Sequence, residues 1–370
     1  MKIKNAAINL AILVISVLLS LGMAEWMSRM FLDPQNFMEA DLIPDERYGH
    51  RISPNQGIWD AWGFRNLKVP EKSEFVAIGD SQTYGVSATS DNSWPAQLSR
   101  IWKVQYYNLS LGGYGPIQYE RLLRDYALRL NPQIVIIGFY FGNDLLDAYN
   151  DSNLLPVDQR PSGSNLPVTN LPPYHPTRMQ AARAWLAHHS VAYNLVKYSI
   201  FGIFPQVSLL GNRGLQEEIP IQTPQFKTTF TPDERYKTMD ESLMSVKTGE
   251  EISRQMLNQI ALTCTDHHLS CYVMLIPTKE SVYYDAIRPY IPSPYQSIFA
   301  NLVAAEDRHR KRMMLELQQA NLAAIDPLPA MKKAIASGNY YLYPSSADGH
   351  PNRFGYGIIA QAVAEQVIKR

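Results

Sequence analysis

The sequence predicts an α/β domain built on a parallel sheet, and three observations predict it. Short apolar runs alternate with amphipathic helical stretches in the order strand, helix, strand, helix, strand, the pattern of right-handed crossovers between parallel strands. The run 134–140 is apolar throughout, as a strand covered on both faces must be. Polar, glycine-containing motifs directly follow these runs, where an open parallel sheet presents the carboxyl ends that bind ligands.

The chain opens on Lys2 and Lys4 followed by an apolar run over 6–24, close to the roughly 20 residues that cross a bilayer as a helix. Positive charge before such a run favours a cytoplasmic N-terminus. Residues 1–30 are therefore expected to anchor the chain in the inner membrane by a single pass, with the body on the periplasmic side. A cleaved signal peptide stays open, because Gly22-Met23-Ala24 offers small residues for processing. Residues 31–70, rich in Pro, Asn, Asp and Gly and without sustained periodicity, read as a linker into the fold.

The domain proper is expected over 71–370. A buried strand is predicted at 75–78, ended by Gly79-Asp80. Ser93 and Pro95 suit a helix start, with a capping hydroxyl and a first-turn proline. A second strand fits 104–109, before the glycine-rich loop at 112–115. Tyr119, Leu122, Leu123, Tyr126, Ala127 and Leu130 recur at helical spacing opposite Glu120, Arg121, Arg124 and Asp125, and Asn131-Pro132 ends that helix. The third strand is 134–140.

Regularity is lost over 151–245, which reads as an insertion or cap over one end of the sheet, with an apolar helical stretch at 185–204. It then resumes. Ile252, Met256, Leu257 and Ile260 mark a helix; strands follow at 272–276 and 323–325, with a charged helical segment over 302–320 between them. A closing helix spans 355–369 and buries Ile359, Val363 and Val367. There is no internal repeat.

Composition narrows the function. Hydrophobic residues make up 46% and charged residues 18%, and 34 Lys+Arg balance 34 Asp+Glu. Such a balance argues against a nucleic-acid partner, which calls for a basic excess. The 22 Tyr suit stacking on sugar faces as well as ordinary packing. Cys264 and Cys271 are either one disulfide or two buried thiols. Asp266, His267 and His268 between them lack the further ligands a metal site requires.

Three motifs carry chemistry. Gly79-Asp80-Ser81-Gln82 follows the first strand, Gly142-Asn143-Asp144 follows the third, and Asp348-Gly349-His350-Pro351-Asn352 precedes the last helix. A serine on a tight strand-to-helix turn faces an incoming carbonyl, but needs a base within reach and an acid to orient that base. His350 and Asp348 supply both. The backbone N–H groups of Ser81 and Gly113 and the side-chain amide of Asn143 are the candidates for an oxyanion hole. Asp80, Gln82 and Asp144 flank these positions and are candidates to touch substrate; for Asp144, beside Asn143, fixing the loop is the alternative. Separately, each motif also has a bland reading as a turn or helix cap.

In combination they resemble the SGNH/GDSL hydrolase superfamily: Gly79-Asp80-Ser81, then Gly113 in Asn108-Leu109-Ser110-Leu111-Gly112-Gly113, then Gly142-Asn143-Asp144, then Asp348 with His350. The resemblance covers 72–147 and 248–370. It implies a three-layer α/β/α flavodoxin-like fold, Ser, Gly, Asn and His in the roles just given, and no metal or organic cofactor. The membrane segment and Gly-Asp-Ser-Gln-Thr-Tyr-Gly are similar to anchored members linked with bacterial envelope polysaccharide. An acylated carbohydrate is then the expected substrate, acted on by an O-acetyl esterase or O-acetyltransferase. A lipase or thioesterase, which would use apolar residues such as Ile200, Phe201, Ile203 and Phe204, and a non-catalytic glycan- or partner-binding module are the alternatives.

The chain departs from the family at one spacing: Ala347 stands three residues before His350, and Asp348 two. Some exopolysaccharide acetyltransferases look similar in this. The serine motif also differs from the Gly-x-Ser-x-Gly elbow of α/β-hydrolases. Among other residues, Trp62-Gly63-Phe64-Arg65 either lines the site or serves packing, and Lys279 and Glu280 are candidates to approach it. His175, His188 and His189 are expected in solvent.

Overall fold

The computed structural model describes residues 2–53, 58–160, 177–201 and 217–367. It opens on helix α1, Lys2–Phe31. Within it, Ile8–Phe31 is long and apolar enough to cross a membrane, with mean hydropathy 2.1 and none of it buried, a character that signal sequences share.

The stretch expected as a linker is folded onto the domain. Asp33 caps the short helix α2, Pro34–Phe37, and strands β1, Leu42–Asp45, and β2, Gly49–Ile52, pair as an antiparallel hairpin. Met38, Tyr48, Ile52, Trp59 and Phe64 are buried in the main core. These apolar residues are spaced irregularly, which hid them from a search for helical or strand periodicity.

Five parallel strands form the central sheet: β3, Phe75–Gly79; β4, Tyr106–Ser110; β5, Ile134–Tyr140; and two further strands, Ser270–Ile276 and Ala323–Ile325. Between β3 and β5 run α3, Ser81–Tyr84, α4, Trp94–Trp102, and α5, Pro116–Asp125; α6, Asp144–Asn150, follows β5. At the start of α4, the Ser93 hydroxyl donates to Ser90 O at 2.8 Å instead of capping the helix.

The interrupted middle region contributes α7, Arg178–His189, α8, Val191–Phe201, a hairpin of β6, Ile219–Gln222, with β7, Lys227–Phe230, and α9, Pro232–Lys237. Glu25 of α1 accepts hydrogen bonds from Ser190, Val191 and Ala192 at the start of α8, and Arg29 donates to His189 O. His175, Ile203 and Phe204 lie outside the described residues, as do the side chains of Ile200 and Phe201. His188 is half-buried, with Nδ1 at 3.1 Å from Glu39 O, and His189 stacks on Trp185. His189 is exposed, as expected, whereas His188 is not fully in solvent.

The regular alternation then completes the sheet: α10, Met244–Asp266, leads to β8, Ser270–Ile276; α11, Lys279–Ile287, and α12, Gln296–Gln319, lead to β9, Ala323–Ile325; α13, Leu328–Ala336, and α14, Arg353–Val367, close the chain. Residues 368 and 369, expected in the last helix, fall outside the described residues. Cys264 and Cys271 are joined as a disulfide, tying the end of α10 to β8.

The sheet order is β4-β3-β5-β8-β9. Counting the sheet strands in sequence order, this is 2-1-3-4-5, the flavodoxin-like doubly wound arrangement. Alternate side chains enter opposite layers. Val76, Ile78, Val135, Ile137, Val273 and Leu275 face α5 and α10, while Phe75, Ala77, Ile136, Met274 and Ile276 face α4, α11 and α14. The chain is thus a three-layer α/β/α structure, as expected. Strand order reverses between β3 and β5, and the carboxyl ends at such a switch point open a crevice for ligands.

Candidate active site

The loop carrying Ser81 leaves β3 at this switch point. Asp80 caps α3 by accepting the Gln82 N–H at 2.9 Å, and α3 then lies close against the sheet. A Cβ at Gly79 would fall 2.2 Å from Thr83 Oγ1, and one at Gly138 would fall 2.4 Å from the same atom. These two glycines are register partners on β3 and β5. Only a pair of residues without side chains leaves room for Thr83, and so for the approach that sets Ser81 down on the strand end.

Residues 348–350 meet this serine from the far end of the sequence. Ser81 Oγ lies 2.8 Å from His350 Nε2, and His350 Nδ1 lies 2.6 Å from Asp348 Oδ1. The backbone N–H of His350 donates to that same carboxylate oxygen at 3.0 Å. This is an Asx turn, in which an Asp side chain binds the backbone two residues on. It accounts for the short Asp-to-His spacing: one oxygen fixes both the loop and the imidazole. With Nδ1–H directed at Asp348, Nε2 is free to take the Ser81 proton.

The second carboxylate oxygen of Asp348 accepts a hydrogen bond from Ser87 Oγ. Burial works to raise the Asp348 carboxyl, but the charge and hydrogen bonds of His350 and the Ser87 hydroxyl outweigh it, holding the group well below the usual carboxylate range. Ser87 is buried and adopts a left-handed φ of 65°, uncommon for a residue with a side chain. Sequence reasoning missed it, and nothing in the local motif marks it out.

The expected oxyanion donors are placed unevenly. Gly113 sits in a turn closed by the Tyr114 N–H to Leu111 O at 3.2 Å, and Leu111 N in turn donates to Gly79 O at 3.4 Å, beside the serine loop. The Gly113 N–H has no acceptor among the described residues. Asn143 is drawn elsewhere: its Nδ2 donates to Asp147 at 2.8 Å and to Asp80 at 3.3 Å, while its Oδ1 is buried without a partner. The amide therefore adjoins the serine loop through Asp80 but is engaged by two carboxylates.

Asp80, Gln82 and Asp144, candidates to touch substrate, are all enclosed by protein. Burial pushes the Asp80 carboxyl up, and the group spans Gln82 N, Ser81 Oγ and Asn143 Nδ2. Gln82 Nε2 donates to Gly349 O at 3.3 Å, joining the serine and histidine loops. Asp144 accepts from the Tyr119 hydroxyl and from Tyr140 N. Their hydrogen bonds brace the loops, the role also open to Asp144 from the sequence.

Three buried cations brace the same loops. Arg65 donates to the carbonyls of Tyr84, Gly85 and Ala88 and to Asn36 Oδ1, so the 62–65 motif packs beneath the serine loop; Trp62 meets Tyr107 edge-on and Tyr126 at a tilt. Lys279 Nζ donates to the carbonyls of Thr229, Pro344 and Ser346 at 3.0, 2.8 and 2.7 Å. Burial pushes its ammonium down to about 8. Glu280 accepts the Thr231 N–H at 3.0 Å, and Arg235 of α9 donates to Gly142 O at 3.1 Å. Among the described residues, no group of three or more His, Cys, Asp or Glu is arranged to hold a metal ion.

No family model matches the chain, and no curated protein does. Several solved structures are similar. An acetyl-xylooligosaccharide esterase from Geobacillus stearmophilus, in a mutant form, is 12% identical at a TM-score of 0.41, covering 81% of this chain and 96% of that one. A phospholipase A1 from Streptomyces albidoflavus is 11% identical at 0.38, covering 80% and 99%. A GDSL-like lipase from Bacteroides thetaiotaomicron is 8% identical at 0.37, covering 80% and 87%. At TM-scores below 0.5 these likenesses carry no weight; strand order and side-chain geometry do. On that geometry, the crevice at the switch point holds a serine hydrogen-bonded to an imidazole that a carboxylate orients.

Proposed function

We propose that this chain is a serine enzyme of acyl-ester chemistry of the SGNH type, acting outside the cytoplasm on O-acetyl groups of a carbohydrate. The observation that carries the reading is the unbroken relay from Ser81 Oγ through His350 to Asp348, at 2.8 and 2.6 Å. Ser81 attacks the ester carbonyl as His350 Nε2 takes its proton, and Asp348 stabilises the imidazolium. The N–H groups of Ser81 and Gly113 receive the developing oxyanion. Asn143 joins them by exchanging one carboxylate partner for the oxyanion. His350 then protonates the leaving alcohol, and water or a sugar hydroxyl resolves the acyl-serine, giving an esterase or a transferase.

The setting supports an exported, membrane-held enzyme. Lys2 and Lys4 precede the apolar helix, which favours a cytoplasmic N-terminus, and the Cys264–Cys271 disulfide suits an oxidising compartment such as the periplasm. The carbohydrate substrate rests on the motif resemblance and on the many tyrosines. The catalytic domain comprises 71–370, with the insertion at 151–245, together with the folded segment 31–70 whose apolar residues share its core.

A fluorophosphonate probe tests the core of the reading. The wild-type chain should be labelled at Ser81, and Ser81→Ala should be neither labelled nor active on p-nitrophenyl acetate. Full activity in Ser81→Ala overturns the proposal. Mass-spectrometric trapping of the acyl group from a panel of acetylated glycans, against long-chain esters, identifies the substrate, and adding polysaccharide acceptor separates transfer from hydrolysis.

A further inference from the structure

The hairpin β1–β2 reaches the loop expected to supply a backbone oxyanion donor. His50 Nε2 lies 2.9 Å from Gly112 O. A carbonyl can only accept, so Nε2 carries the proton and donates. The Tyr114 hydroxyl donates to His50 O at 2.9 Å, the His50 and Tyr114 rings are in contact at 5.1 Å, and Gln118 Nε2 donates to Tyr48 O at 3.2 Å. The hairpin is thus fastened to both sides of the turn.

What His50 grips is the central peptide of that turn. Residues 111–114 are closed by the Tyr114 N–H to Leu111 O, and Gly113, in third position, has φ of 81°. That combination marks a type II turn, which differs from type I in the orientation of its middle peptide. The Gly112 carbonyl and the Gly113 N–H belong to this one planar trans unit, so they point in opposite directions. Holding the carbonyl on the hairpin directs the N–H away from it, and the N–H has no acceptor among the described residues. Glycine on both sides of the peptide makes reorientation easy, so the sequence of the turn does not hold the orientation by itself.

We propose that His50 is a positioning residue: by binding Gly112 O it locks the Gly112–Gly113 peptide in the orientation that keeps the Gly113 N–H available as an oxyanion donor. The inference rests on the Ser81 reading above. It assigns the segment between the membrane helix and the first sheet strand a part in catalysis, supplied through the backbone of another loop.

The test uses the full-length chain in detergent and compares Ser81→Ala, His50→Ala and His50→Gln on p-nitrophenyl acetate. Gln can place its amide N–H near the position of Nε2–H. In His50→Ala, kcat should fall about ten-fold or more, given that a complete oxyanion donor is worth roughly 10²–10³. KM should stay within about two-fold and Tm should be nearly unchanged, while His50→Gln should recover most of kcat. If Ser81→Ala stays active, the nucleophile assignment itself fails. If Ser81→Ala is dead and His50→Ala keeps kcat within about two-fold of wild type, the positioning role is overturned. It is equally overturned if His50→Ala loses Tm or raises KM in step with its activity and His50→Gln restores nothing.

Discussion

Ser87 Oγ donates to the Asp348 oxygen that His350 leaves free, so the acid of the relay is held from both sides. The other oxygen takes both the ring Nδ1–H and the backbone N–H of His350. The carboxylate therefore cannot rotate without breaking several bonds at once.

Ser87→Ala removes one side of that grip. A hydrogen bond to a charged group contributes about 1.5–3 kcal/mol, and a fraction of this should reappear as a roughly three- to ten-fold loss in kcat/KM. Asp348→Asn should cost far more, because an amide can present its N–H to the imidazole and favour the wrong tautomer. The acid side should move as well. The folded carboxyl is held below its ordinary value, so its contribution to stability is present above the unfolded pKa and lost as pH falls through the folded one. Without Ser87 the folded pKa rises, and acid unfolding monitored by circular dichroism should begin at higher pH. An unchanged acid midpoint would count against this coupling.

Gly138→Ala tests the seating of the serine helix. An added Cβ meets Thr83 Oγ1 at 2.4 Å and Ile276 Cδ1 at 3.1 Å, and overpacking of this kind costs about 1–3 kcal/mol. Because Thr83 stands two residues from Ser81, kcat should fall along with Tm. Gly138→Ala combined with Thr83→Ala clears the nearer contact and should restore part of both. Failure of the double variant to recover either quantity would show that the glycine is required for another reason.

The contrast between Gly138 and Ser87 shows what a sequence reveals. The strands at 75–79 and 134–140, the helix periodicity and the order of the motifs were legible because burial on two faces and a helical repeat leave regular patterns. Ser81, His350 and Asp348 were legible because their types and order match a known chemistry. Ser87 and His50 were not, and Arg65 was marked only as part of the 62–65 motif, not as the brace of the 84–88 loop. Each acts on a loop distant in sequence through one or a few hydrogen bonds, and such a bond leaves no periodicity. The core residues of segment 31–70 are hidden for the same reason: Tyr48, Trp59 and Phe64 are placed by a hairpin and irregular chain. Asn143 shows the opposite limit. Its motif marks it as an oxyanion donor, yet its amide lies between Asp80 and Asp147, a relationship only the fold displays.

Arg65→Ala removes three hydrogen bonds to backbone carbonyls of the 84–88 segment, which are left without that donor, and a fourth to Asn36 Oδ1. Loss of a buried guanidinium that makes these four bonds should destabilise the domain by about 3 kcal/mol. It should also loosen the 84–88 loop that carries Ser87. Urea melts should show the lost stability. Hydrogen exchange should show the change concentrated at 84–88, and uniform deprotection across the sheet would argue instead for global destabilisation alone.

Lys279 offers a prediction with an unusual sign. Its ammonium donates to Thr229, Pro344 and Ser346, yet burial lowers its pKa from 10.5 to about 8. Between these values the unfolded chain binds more protons than the folded one, so this group makes stability rise with pH across that window. At about 1.36 kcal/mol for each unit, the full rise is on the order of 3 kcal/mol. Lys279→Met lacks the titration but keeps much of the apolar stem. At pH 7.5 the variant should already lose activity, because the 344–346 carbonyls that lead into Asp348 and His350 are released. Comparing urea midpoints at pH 7.5 and 10, the wild type should gain stability relative to Lys279→Met as pH rises. The reverse trend would mean that the three carbonyls favour the ammonium more than burial disfavours it, and that the lysine stays charged as a permanent clasp on the histidine loop.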